Sequence, residues 1–345
     1  MSKTYEEIKG QFTALAKTSE YIKNRINIIQ RFLNEKETKI MAFIGSGSSY
    51  ALAKSCEHIY RNLTGKPAVS LASGDLMLHP ERYAQALSGG VIVAITRSGS
   101  TSEILKAIDA IKRHADVRVV AIACVEGSPI ESIADFTLSL PWAFDESICQ
   151  TRTVSNLFLA GALFSAGLGG RADVIRDLDK TIGLLEGFCN RIEPEFLTLA
   201  KEKWDHVVVL ADGEIAGLAE EGALAFKEIC QLPSNQYGLL DVRHGPMVII
   251  NNRTLVLACL TEANDYETKL ISDLCAKHAT VVCYSDLPVK LDSKVFAQFD
   301  MGETLDTVSR GLPLILICQL ASYYKALVRG TNPDMPDGLD AWVKL

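Results

Sequence analysis

The sequence predicts an α/β protein of two three-layer αβα domains with parallel sheets, entered through an amino-terminal helix. Three observations predict it. Short, continuously apolar strand-like runs alternate with helical stretches, the pattern of βαβ units whose sheet is covered on both faces. Two of the early runs end in Gly/Ser-rich segments directly before a helix. The plan then recurs downstream: Gly47 to Gly213 is 166 positions, Thr96 to Thr261 is 165, and the helix ends at 112–115 and 276–279 lie 164 apart. A chain of 345 residues has room for two such domains.

Each element follows from its local pattern. Residues 3–34 place Ile8, Phe12, Leu15, Ile22, Ile26, Ile29 and Leu33 at helical spacings and read as one amphipathic helix. The run 39–44 (KIMAFI) reads as a strand, followed by a Gly/Ser loop and a helix to about residue 63. Further strands are expected at 91–95, 117–124 and 136–140. A helical stretch around 172–203, broken at Pro194, connects to the second half, where strands 206–211 and 254–260 resume the plan.

Composition excludes several classes. Hydrophobic residues at 48% and charged residues at 22% are ordinary globular values and exclude a disordered chain. A net charge of -7 argues against a nucleic-acid binder, while leaving room for a local anion site. Nine cysteines form no C-x-x-C pair and read as small buried hydrophobes of a reducing compartment. The charged amino terminus is no signal peptide, and the apolar runs 156–170 and 311–320 fall short of a membrane span. A soluble, cytoplasmic protein is expected. No His, Cys or carboxylate spacing of metal-site type occurs, so neither metal nor cofactor is expected.

The chemistry concentrates in the first half. GSGSS (45–49) and TRSGST (96–101) both stand between a strand and a helix. Ser46, Ser48, Ser49, Thr96, Ser98, Ser100, Thr101 and Ser102 supply hydroxyls, and Gly47 lets backbone approach a ligand. A helix N-terminus adds unpaired amides and a positive dipole end, and Arg97 adds a cation. Together they suit a phosphate. The competing reading is that these residues are only helix caps and turns. The corresponding segments of the second half, 211–217 and 261–267, are acidic. GSGSSY lacks the third glycine of a dinucleotide fingerprint, and no P-loop Gly-Lys-Ser/Thr is present.

These motifs resemble the two phosphate-binding loops of the sugar isomerase (SIS) domain family. With EEGALAFKE (220–228) and RHGP (243–246), the chain is similar to tandem SIS proteins, among them the isomerase module of glucosamine-6-phosphate synthase and stand-alone phosphosugar isomerases, deaminases and deglycases. The resemblance implies two flavodoxin-like domains: an amino-terminal helix over 1–36, a phosphate-binding domain over 37–170, a helical linker over 171–203, a catalytic domain over 204–330 and a tail over 331–345. It assigns the phosphate to Gly47, Ser48, Ser49, Thr96, Arg97, Ser98 and Thr101. It makes Glu228 the base of a 1,2-proton shift and His244 the ring-opening residue, entering the site of a neighbouring subunit in a homodimer. Thr151 and Arg152 match a loop that closes over substrate; their alternative reading is a helix cap and a first-turn side chain.

The implied activity is aldose–ketose isomerisation of a sugar phosphate, an amino sugar by the nearest resemblance. Amine-releasing deaminase or deglycase chemistry and a non-catalytic phosphosugar sensor are the alternatives. No nucleic acid or membrane partner is implied. Departures bear on the substrate: Ala225 and Ala341 stand where the synthase module has lysines, and Arg97 stands where many relatives have glutamine. They put glucosamine-6-phosphate itself in question as the substrate and leave room for a different sugar head group. Without a glutaminase domain or an amino-terminal cysteine, it is not expected to make that sugar from glutamine.

Overall fold

The computed structural model describes residues 2–340. They divide into a first compact unit of 10–146, 150–179 and 340, and a second of 2–9, 147–149 and 180–339.

The amino-terminal region contains two helices, α1 (Lys3–Lys23) and α2 (Ile26–Asn34), where the periodicity predicts one. The break falls at Asn24–Arg25. There the Arg25 guanidinium folds back over the Tyr21 ring, 3.6 Å from its centroid, and donates to the Tyr21 carbonyl. Ile22, Ile29 and Leu33 remain buried across the break, so the apolar stripe hides it from a sequence reading.

The first unit then runs β1 (Met41–Gly45), α3 (Ser48–Thr64), β2 (Ala68–Ala72), α4 (Ser73–Leu78), α5 (Pro80–Leu87), β3 (Gly90–Thr96), α6 (Ser102–Lys112), β4 (Val117–Ala123), β5 (Phe136–Ser139) and α7 (Arg152–Leu168). Its five strands are parallel in the order β2-β1-β3-β4-β5. β1 and β3 are buried at every residue, as expected of strands covered on both faces. The register Met41↔Val91 through Ile44↔Ala94 sets their carboxyl ends side by side, so the loops that leave them are neighbours. One face packs Ile44, Ile92, Ala94 and Val119 against Ile104, Ile108 and Ile111 of α6. Each such fully buried aliphatic side chain stabilises the fold by about 1.5–3 kcal/mol.

α8 (Ala172–Leu199) contains the boundary between the units and is continuous through Pro194, where a break was expected. Phe188, Cys189, Ile192, Phe196 and Leu199 are buried on both sides of the proline. Their packing outweighs the roughly 3 kcal/mol that a proline costs inside a helix.

The second unit continues with β6 (His206–Leu210), α9 (Ala216–Ile229), β7 (Ser234–Tyr237), β8 (Thr254–Cys259), α10 (Asp265–Ala276), β9 (Thr280–Ser285), β10 (Ala297–Asp300) and α11 (Gly311–Arg329). Its sheet is parallel in the order β10-β9-β8-β6-β7, so each unit carries the doubly wound order 2-1-3-4-5 counted from its own first strand. α9 and α11 approach closely at Gly222, where a Cβ would lie 2.7 Å from the Cys318 sulfur.

α11 extends to Arg329, beyond the 311–320 run. It is the one helix among the described residues long and apolar enough to cross a membrane, and 83% of that stretch is buried in the fold. The cysteines form no disulfide among the described residues and are buried apart from the half-buried Cys275; burial pushes the thiols of Cys56, Cys230, Cys259 and Cys283 up to about 12.

Candidate functional site

In the first unit the strand order reverses between β1 and β3, and the two Gly/Ser loops leave those two strands. That is the switch point at which open α/β sheets bind ligands. Gly47 stands just before α3 with φ +55 and ψ -127, a backbone that L side chains rarely adopt. Ser48 and Ser49 open the helix at 5% and 4% exposure. The Ser46 hydroxyl is buried with no hydrogen-bond partner among the described residues.

The second loop is organised around its own hydroxyls. Thr96 Oγ1 accepts the Gly99 amide at 3.1 Å and Ser98 Oγ accepts the Ser100 amide at 3.1 Å. Each of these hydroxyls is thereby used as an acceptor, which aims its own hydrogen elsewhere. Ser100 donates its hydroxyl to the Ser98 carbonyl, 3.2 Å away. Gly99, at φ +63, lets the chain pass over Ser128, whose buried hydroxyl has no partner among the described residues.

Thr101 occupies the N-cap position of α6, yet its side chain makes no capping bond, and neither does the residue before α3. The first-turn amides of both helices therefore face the loops without side-chain caps. Glu103, in the first turn of α6, holds one carboxylate oxygen buried without a partner among the described residues.

Behind the loops lies a charged cluster. Arg97 is buried at 5% exposure, and its carbonyl accepts the Cys124 amide at 3.1 Å. Burial pushes the Cys124 thiol up, Asp145 adds to the effect, and Arg97 and Arg152 oppose it. Asp145, 1% exposed, accepts the amides of Thr151 at 2.7 Å and Thr153 at 2.8 Å, and so caps α7 from outside the helix. Arg152 donates to the Phe144 carbonyl and lies 3.6 Å from the Asp145 carboxylate. Thr151 thus sits at the N-cap position, fully buried and without a side-chain capping bond, and Arg152 stands in the first turn. Asp145, Ser128 and Glu103 were not legible as site residues, because a lone Asp, Ser or Glu in a loop or helix end carries no periodic signal.

The second unit fills the corresponding loop with its own side chains. The segment after β8 wraps the Glu267 carboxylate, which accepts the amides of Thr261 at 3.3 Å, Glu262 at 3.2 Å and Ala263 at 2.7 Å, and the Thr261 hydroxyl at 2.7 Å. Asn264 caps α10 by accepting the Tyr266 and Glu267 amides. After β6, Asp212 accepts the Leu239 amide at 3.0 Å. Burial holds its carboxyl above the usual range, with Glu267 and Asp241 adding to the rise and the Leu239 bond opposing it.

Glu228 lies half-buried near the end of α9, beside the exposed Lys227. Partial desolvation lowers the Lys227 ammonium against the pull of Glu220, Glu221 and Glu228. Glu221, seven residues earlier on the same helix, is 1% exposed. Ala225 is buried at 2% exposure. His244 is exposed between two short 3-10 turns, Asp241–Arg243 and Pro246–Ile249, with Gly245 at φ +120 fixing the corner. Leu240, Val248 and Ile249 beside it are exposed at 41%, 81% and 48%. Ala341 lies outside the described residues. Among the described residues no group of three or more His, Cys, Asp or Glu is placed to hold a metal.

Comparison with known proteins bears on this geometry. The chain is 22% identical over 362 residues to a glutamine–fructose-6-phosphate aminotransferase (isomerizing) of Vibrio vulnificus, covering 97% of this chain and 57% of that protein. It therefore spans little more than half the length of that relative. The fold is similar to the crystal structure of a glucosamine-6-phosphate deaminase from Thermotoga maritima, with TM-score 0.79, 24% identity and full coverage of both chains. It is also similar to the tagatose-6-phosphate ketose/aldose isomerase of Escherichia coli, with TM-score 0.82, 18% identity, and coverage of 96% and 94%. The SIS domain family model matches residues 36–165, which contain β1 to β5 and both Gly/Ser loops.

Proposed function

We propose that the chain is a phosphosugar aldose–ketose isomerase. One observation carries the anion-binding half of this reading. In the first unit Gly47 precedes α3, Thr101 stands at the N-cap of α6 without a side-chain capping bond, and the buried Ser46 and Ser128 hydroxyls have no partner among the described residues, whereas in the second unit Asn264 caps and Glu267 fills the loop. Unmet donors at a switch point suit a phosphate, held by Gly47, Ser48, Ser49, Thr96, Ser98 and Thr101 with Arg97 behind.

The reaction moves a proton between C1 and C2 through an enediol. A carboxylate is strong enough for that transfer, and Glu228 is assigned to it. An imidazole that can both donate and accept near neutral pH suits ring opening, and His244 is assigned to that step. The apolar surface of Leu240, Val248 and Ile249 beside His244 supports a homodimer in which this segment is covered by a second copy and His244 serves the neighbour's site. Residues 37–170 and 204–330 are read as two copies of one domain, a reading supported by their common strand order. Thr151 and Arg152 order the start of α7 for the same site. The protein is read as soluble and cytoplasmic, with no nucleic-acid or membrane partner.

A second reading is that the enediol step ends in loss of an amine, as in a deaminase or deglycase, since the same motifs serve both chemistries. Phosphosugars and ketosamine phosphates assayed for ketose and for amine release separate the two readings, and no turnover of any leaves a phosphosugar sensor. Glu228→Gln should abolish turnover and keep binding; surviving activity would mean that another group moves the proton. Ser98→Ala with Thr101→Ala should weaken phosphorylated sugars far more than dephosphorylated ones, and equal losses would remove the phosphate cradle.

A further inference from the structure

A second concavity lies on the first unit at the amino-terminal ends of β1 and β2, away from the loops at the strands' carboxyl ends. It encloses about 560 Å3. Leu33, Met41 and Tyr60 line its apolar side, and Lys36, Lys39 and Lys66 face it with a single carboxylate, Glu37. The three ammonium groups have no ion-pair partner among the described residues.

Lysines near helix carboxyl ends ordinarily answer the helix dipole, and α2 and α3 both end here. Those ends are already answered. Arg118 donates to the Phe32 and Leu33 carbonyls at 2.7 and 3.2 Å, closing α2. The Gly65 amide donates to the Arg61 carbonyl at 2.9 Å and the Thr64 hydroxyl to the Tyr60 carbonyl at 2.6 Å, closing α3. The lysines remain as surplus charge around a preformed wall. Arg118 fixes that wall further through the Lys36 carbonyl at 3.1 Å and the Thr38 hydroxyl at 2.9 Å, and the Met41 amide bonds the Pro67 carbonyl at 3.1 Å.

We propose that this concavity binds a phosphorylated small molecule with at least two negative charges, separately from the sugar-phosphate loops. Three cations against one anion set the charge of the ligand. The volume lies within the range of small-molecule sites and far exceeds a bare phosphate, and the apolar side suits an organic portion of nucleotide size. β1 and α3 each run from this concavity to the loop at Gly45–Ser49, so occupancy here is placed to bias that loop, and any such coupling is reciprocal.

The test uses ADP as probe on the full chain carrying Ser98→Ala and Thr101→Ala, which takes the substrate loops out of the competition. Titration calorimetry should give one ADP per chain, weakening steeply with salt. Adding Lys39→Glu and Lys66→Glu, both exposed, should weaken ADP at least about tenfold with an unchanged thermal midpoint. Equal affinity before and after charge reversal, or no ADP binding at millimolar concentration, overturns the proposal. Neither result depends on whether the loops hold a sugar phosphate.

Discussion

Gly99→Ala tests whether the second loop's shape is set by what lies beneath it. At φ +63 an alanine costs about 1–2 kcal/mol from backbone sterics alone. Its Cβ would also stand 2.2 Å from Ser128 Oγ, 2.6 Å from Ser128 Cβ and 3.1 Å from Ile130 Cγ2. Ser128 cannot simply retreat, because it is buried and its carbonyl accepts the Glu131 amide at 3.0 Å. Overpacking of that kind costs about 1–3 kcal/mol, so the total is about 2–5 kcal/mol. For a unit of this size that lowers the thermal midpoint by roughly 4–20 °C. Adding Ser128→Gly removes both close atoms and should restore the overpacking share while leaving the backbone share, a coupling that a double-mutant cycle reads directly. Gly47→Ala is the control, since its Cβ would meet nothing within 4 Å and only strain remains. The same Gly99 variant should bind a sugar phosphate at least about tenfold more weakly. A Gly99→Ala protein within about 0.5 kcal/mol of the parent, or strict additivity with Ser128→Gly, would refute the reasoning.

Three further substitutions probe the groups that define the two units. Asp145→Ala strips the acceptor from the Thr151 and Thr153 amides and leaves Arg152 without its carboxylate; a loss of about 3–5 kcal/mol in urea unfolding is expected, and a loss under about 1 kcal/mol would contradict the capping role. Glu267→Ala exposes the amides of Thr261, Glu262 and Ala263 and should cost about 2 kcal/mol or more, recovered in part by added formate; a stable variant indifferent to formate would mean the carboxylate is not what orders the loop. Asp334 accepts the Lys3 amide at 3.0 Å and the Thr4 amide at 2.8 Å, starting α1 within the second unit. Burial alone would raise its carboxyl, but the bonds from Thr4 and Lys3 outweigh burial and hold it below the usual range. Its contribution is therefore present above the ordinary carboxylate pKa near 3.9 and is lost as pH falls through the lower folded value. Asp334→Asn should cost about 1 kcal/mol at neutral pH, with the gap from the parent closing below about pH 4; a gap that widens with acid has the wrong sign.

Much of the fold was legible because its central strands are buried on both faces and write an unbroken apolar run. β1, β3, β4, β6 and β8 announce themselves in this way. The edge strands β2 and β7 do not. β2 is half-buried throughout and β7 is the polar segment Ser234–Tyr237, so neither carries the pattern. β9 is interior, and its run TVVCYS carries the same buried pattern over a shorter apolar core. Helix continuity was misjudged in both directions, at Arg25 and at Pro194, since both depend on packing that local propensity does not contain. For the site, the residue types at β→α junctions were readable, but which of them act as caps was not. Thr101 and Asn264 both look like N-caps in sequence, and only the second one caps.

That difference decides how one topology can serve two chemistries. The switch point of a doubly wound sheet always presents helix amides and a positive dipole end, and something must meet them. In the second unit the chain meets them itself, with Glu267 and Asn264 held inside the fold. In the first unit Thr96 and Ser98 are hydroxyls used as acceptors, which leaves their own hydrogens for other partners, Thr101 makes no side-chain cap, and Glu103 is the acidic side chain in the first turn of α6. Under the proposed function a loop of that kind is completed by an anion from solution. In that proposal the attraction for anions is local, built from amides, hydroxyl hydrogens and Arg97, and is compatible with a chain whose net charge is -7. It follows that exchanging Thr101 for Asn should close the loop from within, strengthening the start of α6 while weakening phosphate binding, because one donor becomes one cap.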